Sequence, residues 1–236
     1  VKVKDVEFKM YNVLGGEFSM GFNPSDTPYS GFSVPDNELP RHSVTLDDYA
    51  IGETEVTVAL WNAVMGEVPY LNDLSSPRNP VCNVSWYDCL NFIDKLNSLT
   101  GLTFRLPTEA EWEFAARGGK LSRHYGFSGS NDIGSVVVNV DNAADKKPKD
   151  VKSRKPNELW LYDMCGNVWE WCYDAMGTYT ADPLTNPVGK SDEGYEGYRA
   201  MRGGSAASRW EACRISNRSQ IPAMNVKGTF GLRLCL

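Results

Sequence analysis

The chain is poor in the residues that build most metal and catalytic centres. Of its 236 residues only two are histidine, His42 and His124, and no C-x2-C pair occurs. A zinc site is therefore not expected. No run of lysine or arginine is present and the formal net charge is −6, which argues against nucleic-acid binding. No apolar stretch approaches the length of a bilayer span, and Val1 does not open a signal peptide. Internal repeats and low-complexity tracts are absent as well.

What is present is an aromatic, turn-rich composition: seven tryptophans, eleven tyrosines and 21 glycines, with 42% hydrophobic residues. That suffices for one sizeable core, so residues 1–236 are read as a single domain, held by large rings and many irregular loops. The six cysteines are Cys82, Cys89, Cys165, Cys172, Cys213 and Cys235. Two pairs share C-x6-C spacing, which on a helix separates the sulfurs by about 10 Å along the axis. A disulfide within one helix is too long at that spacing. Buried free thiols are expected, with disulfides between distant segments as the alternative.

Local signals mark short strands before residue 52 and three helices after it. Gly15-Gly16 in "NVLGGEFSMGF" sits between apolar pieces and reads as a hairpin. Thr57 and Gly66 bracket a helix over Val58 to Met65. Ser85 and Asp88 open a second, in which Trp86, Cys89, Leu90, Ile93 and Leu96 recur at helical spacing until Gly101. Thr108 and Glu111 form a capping box for a third, with Trp112 and Ala115-Ala116 as its apolar side and Gly118-Gly119 as its stop. From Leu121 onward, turn chemistry dominates, and long loops crossed by short strands are expected.

One stretch, "LYDMCGNVWEWCYD", places Asp163 and Glu170 on either side of a Gly-Asn turn. The residues alone leave two arrangements open. Both carboxylates and nearby carbonyls converge on a hard cation such as calcium, or the carboxylates pair with arginines such as Arg202 or Arg233 while Trp169 and Trp171 fill the core.

Several segments together resemble the formylglycine-generating-enzyme, or sulfatase-modifying-factor, family. They are "GGEFSMG", "PRHSVTLDDYAIGETEVT", "PVCNVSWYDC", "FRLPTEAEWEFAARGG", "KPNELWLYDMCGNVWEW", "RGGS" and "FGLRL", in the family's order from about Gly15 to the end. The resemblance implies an α+β, C-type-lectin-like fold with short strands, few helices and much irregular loop. It also implies one structural Ca2+, with ligands carried over by position as the Asp163 side chain, the Gly166 and Val168 carbonyls and the Glu170 carboxylate. The ligands of a second family calcium find no match in "VVVNVDNAADKKPKD".

Active members of the family bind copper through two cysteines spaced C-x4-C after the Gly-Gly-Ser. Soft thiolates suit Cu(I), and the pair is needed. Here "AASRWEACR" holds Cys213 alone, so no copper and no oxidase activity are expected. The family's iron branch needs a histidine cluster, so no iron is expected either. A Cys213–histidine pair has no local signature.

What remains is a non-catalytic ligand-binding module. The candidate surface is the C-terminal segment from Arg202 to Leu236, specifically Ala206, Ala207, Ser208, Arg209, Trp210, Glu211, Ser219, Gln220, Ile221, Ala223, Met224 and Val226. These follow no helical or strand period, and Arg214, Arg218 and Arg233 are read as structural pairs around them. Trp210 is either an interface anchor or a core residue. Some proteins with this fold are variable targets of diversity-generating retroelements. Ala, Ser, Arg, Ile and Val all arise from asparagine codons by changing adenines, whereas Trp210, Glu211, Gln220 and Met224 need other starting codons. The expected partner is a protein or glycan at a cell surface, and the expected location is secreted or surface-attached. The competing readings are an enzyme of the family and a structural subunit of a surface assembly.

Overall fold

In the computed structural model, which describes residues 1–24, 32–67, 69, 76–190, 194 and 196–236, the first strands pair with distant partners. β1 (Lys2–Val3) and β2 (Val6–Glu7) make a small ribbon, followed by β3 (Met10–Val13), β4 (Gly16–Met20), β5 (His42–Leu46) and β6 (Tyr49–Gly52). β3 pairs with β6 and β4 with β5, all antiparallel. Gly15-Gly16 is therefore not the expected hairpin. The Gly15 amide instead donates to Asp48 Oδ1 at 2.7 Å, and a Cβ there would stand 2.2 Å from the Leu46 carbonyl oxygen. The glycine lets the link between β3 and β4 press against the link between β5 and β6, so two strand pairs nest rather than one hairpin closing.

The helices obey their local signals. α1 (Val58–Met65) is capped by the Thr57 hydroxyl, which accepts the Leu60 amide, and stops at Gly66 in a left-handed conformation. α2 (Trp86–Thr100) carries the full Ser85–Asp88 capping box and stops at Gly101. Its Trp86, Cys89, Phe92, Ile93 and Leu96 are buried, and Phe92 stacks on Trp61 of α1 at 4.8 Å between centroids. α3 (Glu109–Ala116) has the Thr108–Glu111 box and ends on Arg117, just before Gly118. Every residue of α3 is buried, the three glutamates included, so it has no solvent face for its carboxylates.

The second half adds a short α4 (Ile133–Val136), then β7 (Trp169–Trp171), β8 (Leu184–Thr185), β9 (Tyr198–Arg202), β10 (Ser219–Pro222) and β11 (Phe230–Gly231). The order in the largest sheet is β10-β9-β7-β11, with β11 parallel to β7 and the other pairs antiparallel. β8 lies parallel beside β5. All six cysteines are buried free thiols.

Buried arginines supply the countercharges that α3 requires. Arg202 pairs with Glu113 and, at 3.2 Å, with Glu109; Arg218 clasps Glu109 with two contacts of 2.7 Å. Arg105 and Arg117 hold Glu111 and Glu113. Beyond α3, Arg214 meets Glu38 at 2.5 and 2.8 Å, and Arg233 meets Glu170 at 2.7 Å. Asp174 is buried too, and accepts the amides of Glu109 at 3.1 Å and Gly189 at 2.6 Å. Burial, then the charge of Glu109, lifts its carboxyl to about 7.

Two outcomes follow. Removing one side of a buried pair strands the other charge, which costs about 3–5 kcal/mol. Arg214→Ala should lower the unfolding free energy from denaturant titration by that amount, and the double replacement Glu38→Leu/Arg214→Met should lose less than the single one. For Asp174 the folded pKa lies above the unfolded value of 3.8, so the folded chain holds the extra proton between the two. Stability contributed by that proton is present below about pH 4 and lost as pH rises toward 7. Unfolding free energies measured across this window should fall more steeply for the native chain than for Asp174→Asn.

Candidate functional site

The C-terminal segment leaves β9 through Gly203 and Gly204, both at positive φ. A Cβ on Gly204 would lie 2.7 Å from the Ala212 carbonyl oxygen and from Cys213 Sγ, so glycine is required for the turn to close. Beyond it the backbone is tied at several points. Ala206 N donates to the Asn167 carbonyl, Ser208 accepts the Val140 amide, and the Ser205 and Ser208 hydroxyls meet at 3.0 Å. A single 3-10 turn, Trp210–Cys213, leads into the arginine pairs.

Most of the expected contact residues reach the surface from this backbone. Ala207 and Arg209 are exposed, and Ser208, Trp210 and Glu211 are half-buried. Ser219, Gln220 and Ile221 are half-buried on β10, a strand whose four residues are all half-buried, so it carries no alternation. Met224 is 73% exposed and Val226 55%. Ala206 and Ala223 do not belong to the surface. Ala206 is fully buried against Val138 and Ala143, and Ala223 is packed into the core that α2 covers. Trp210 is divided: it packs on the core and meets Phe32 at 5.6 Å between centroids. Residues 32–38, which end in the 3-10 turn Asp36–Glu38, thus touch both parts of the face, through Phe32 at Trp210 and through Asn37, whose side chain donates to the Arg218 carbonyl.

Cys213 is sealed beneath this face. Its thiol donates to the Arg209 carbonyl at 3.5 Å, and burial pushes its pKa far up, with Cys165, Asp141 and Glu211 rather than an imidazole as its electrostatic neighbours. Burial lifts Cys165 likewise, to about 12. A nucleophilic or metal-binding thiol needs the opposite shift. His42 lies in another cleft, edge-on to Tyr179 at 4.6 Å, and His124 is exposed.

The Asp163–Glu170 turn splits its two carboxylates between different partners. Glu170 accepts from Arg233 on both oxygens and from Trp112 Nε1 at 2.7 Å, which fills its acceptor sites. As a calcium ligand it would have to give up these bonds, so the arginine arrangement holds for this residue. Asp163 differs. Oδ2 accepts the Lys152 amide at 2.8 Å, while Oδ1 is buried without a partner. Burial raises its carboxyl to about 6. Among the backbone hydrogen bonds outside helices and strands of the described residues, none ends on the Gly166 or Val168 carbonyl.

A carboxylate missed in the sequence faces the same problem. Glu55 is buried; its Oε1 accepts from Asn167 Nδ2 at 3.1 Å and its Oε2 has no partner. Burial first and the charge of Asp163 second raise its pKa well above the usual range. Glu55 also lines a cleft of about 500 Å³ with Glu53, Asp150 and Lys152. The sequence signal was the acidic pair in "GETEV", whose nearness to Asp163 exists only in the fold.

The sulfatase-modifying factor enzyme 1-like domain family matches the chain over residues 3–236. The chain is 29% identical to the chaperone protein LppX of Paenibacillus barcinonensis, across 86% of this chain and 85% of that one. It is 28% identical to the formylglycine-generating enzyme of Streptomyces coelicolor, across 93% and 86%. Among solved structures, Treponema denticola variable protein 1 matches with a TM-score of 0.86 and 30% identity, covering 100% of this chain and 97% of that one. With its motifs, its short-strand α+β architecture and a family match over nearly its whole length, the chain belongs to the sulfatase-modifying factor enzyme 1-like domain family.

Proposed function

We propose that the chain is a non-catalytic recognition module that displays its C-terminal segment on a rigid scaffold. The observation that carries this reading is the arrangement of that segment: exposed side chains alternate with buried arginines fixed to glutamates. A backbone held this way presents side chains without itself contributing chemistry. The single sealed thiol supports the absence of oxidase activity, because copper needs two soft ligands. The contrary reading, an enzyme like the formylglycine-generating relatives, requires tight Cu(I) binding at Cys213. The likeness to a variable protein supports diversification of the segment by a retroelement. Ala206 and Ala223 are left out of the proposed contact set, which is Ala207, Ser208, Arg209, Trp210, Glu211, Ser219, Gln220, Ile221, Met224 and Val226. The ligand is read as a protein or glycan outside the cell.

A structural calcium belongs to the same proposal. The orphaned oxygens of Asp163 and Glu55 support it, since two buried carboxyl groups, each with one oxygen that meets no donor, suit a hard cation. Asp163, the Gly166 and Val168 carbonyls and Glu55 would hold it, and its charge would relieve the repulsion between the two acids.

Three measurements test these statements. Met224→Asp, Val226→Asp and Arg209→Ala should each change stability by no more than about 0.5 kcal/mol, and a larger loss would make these residues scaffold. A near-copy of the DNA encoding Gly203 to Gly231, differing mainly at adenines and beside a reverse transcriptase gene, should exist if the segment is diversified; its absence sinks that part. Calcium at a hundred times its Kd should stabilise the fold by about 2.7 kcal/mol. Glu55→Gln should abolish that shift without lowering the melting temperature of the metal-free chain, whereas a melting curve unchanged by chelator would remove the site.

A further inference from the structure

Two half-buried arginines, Arg154 and Arg199, lack among the described residues the countercharge that the buried arginines share, and each keeps an Nε without an acceptor. Arg202, Arg214, Arg218 and Arg233 each meet a carboxylate, as do Arg78, Arg105 and Arg117. Arg199 on β9 forms no ion pair among the described residues. Its Nη1 donates to the Tyr198 carbonyl at 3.1 Å, and its Nε is buried without an acceptor. The guanidinium carbon lies over the Trp86 indole, 4.4 Å from the ring centroid. Stacking of this kind fixes the plane of the fork and leaves its charge unneutralised. Nε is closed to solvent, so a partner reaches the fork through Nη2, which has no acceptor among the described residues and can take a carboxylate oxygen end-on.

The surroundings are apolar and open. Tyr87 and Tyr173 flank Trp86 with centroids at 5.3 and 6.1 Å, and both are about half exposed, 49% and 48%. Ile221 stands opposite Arg199 in the β9–β10 register. The Trp86 amide donates to the Ala223 carbonyl at 3.0 Å, and Ala223 N to the Gly197 carbonyl at 2.8 Å. Those bonds hold Ala223 at the start of α2, with the exposed Met224 next to it in the chain. The patch thus draws on α2, the residues after β7, β9 and β10, and only part of it lies in the C-terminal segment.

We propose that this face docks a protein partner that places an Asp or Glu carboxylate on Arg199 and covers Tyr87, Tyr173 and Met224 with apolar side chains. The proposal rests on the reading of the C-terminal segment as a recognition surface and extends that surface onto the scaffold. A single cation, in a chain of net charge −6, matches one carboxylate rather than a phosphate polymer. Exposed tyrosine, methionine and isoleucine match apolar side chains better than sugar hydroxyls, and tyrosine and arginine are the side chains that dominate protein interfaces.

The test is selection of a random displayed peptide library on the intact chain, followed by affinity measurements on the recovered peptides. They should share an Asp or Glu beside apolar residues. Binding should fall at least tenfold with Arg199→Gln, fall with Tyr173→Ala, recover in part with Arg199→Lys, and fall when the peptide's own acid becomes its amide. Arg199→Gln loses the contact on Trp86 but no ion pair, so its melting temperature should fall by no more than about 4 °C, which separates lost binding from lost folding. Failure to recover binders, recovery of binders without a carboxylate, or full affinity for Arg199→Gln would overturn the proposal. Peptides lost with Arg199→Gln but indifferent to Met224→Ala and Arg209→Ala would uphold it while removing the C-terminal segment as the recognition surface.

Discussion

Buried arginine–glutamate pairs are the constraint on which the rest of this structure depends. The strands are two to five residues long, too short to define a register firmly through their ladders alone. α3 is sunk in the core with Glu109, Glu111 and Glu113. Ionised carboxylates without partners in that position would be untenable. Arginines from the last third of the chain reach back to them, and Arg214 reaches further, to Glu38. Hydrophobic packing is non-directional, whereas a two-point guanidinium–carboxylate contact accepts one geometry. The C-terminal segment therefore cannot slide relative to the first half without stranding a charge.

Local chemistry was legible in the sequence and long-range pairing was not. The caps at Thr57, Ser85 and Thr108 and the stops at Gly66 and Gly101 depend on residues within one turn of each other. The Gly15-Gly16 signal misled because the interaction that decides it is with Asp48, beyond the reach of a hairpin pattern. Glu55 went unnoticed for the same reason, since only the fold sets it beside Asp163 and Asn167. Ala206 and Ala223 read as loop residues because alanine carries no periodic signal where the backbone is irregular, yet both fill the core. Arg214, Arg218 and Arg233 were identifiable as structural, but the identities of Glu38 and Glu109 as partners were not.

The Asp163–Glu170 turn shows how two readings of one motif can each hold in part. A guanidinium and a metal ion compete for the same carboxylates, and the outcome is decided one residue at a time. Arg233 and the Trp112 indole saturate Glu170. Asp163 Oδ1 has no hydrogen-bond partner among the described residues, and neither has Glu55 Oε2. Lys152, the nearest basic residue to Asp163 by hydrogen bonding, offers its backbone amide to it and sends its ammonium to Glu53 instead. The unmet demand for positive charge is thus concentrated on the Glu55 and Asp163 carboxyl groups and is not spread over the motif.

The same frame limits where the C-terminal segment can change. A larger side chain at Ala206 or Ala223 overpacks a closed site, at a cost of about 1–3 kcal/mol. At Gly204 any side chain meets the Ala212 carbonyl. Ala207, Arg209, Met224 and Val226 meet no such barrier, because their side chains leave the surface between fixed points. Trp210 lies between the two classes, since its ring packs on Phe32 as well as on the core, and substitution there would disturb both the face and its support. Variation that respects this division alters what the surface contacts and leaves the energy of folding nearly unchanged. The arrangement of buried charge therefore dictates the pattern of tolerated change, independently of any mechanism that generates it.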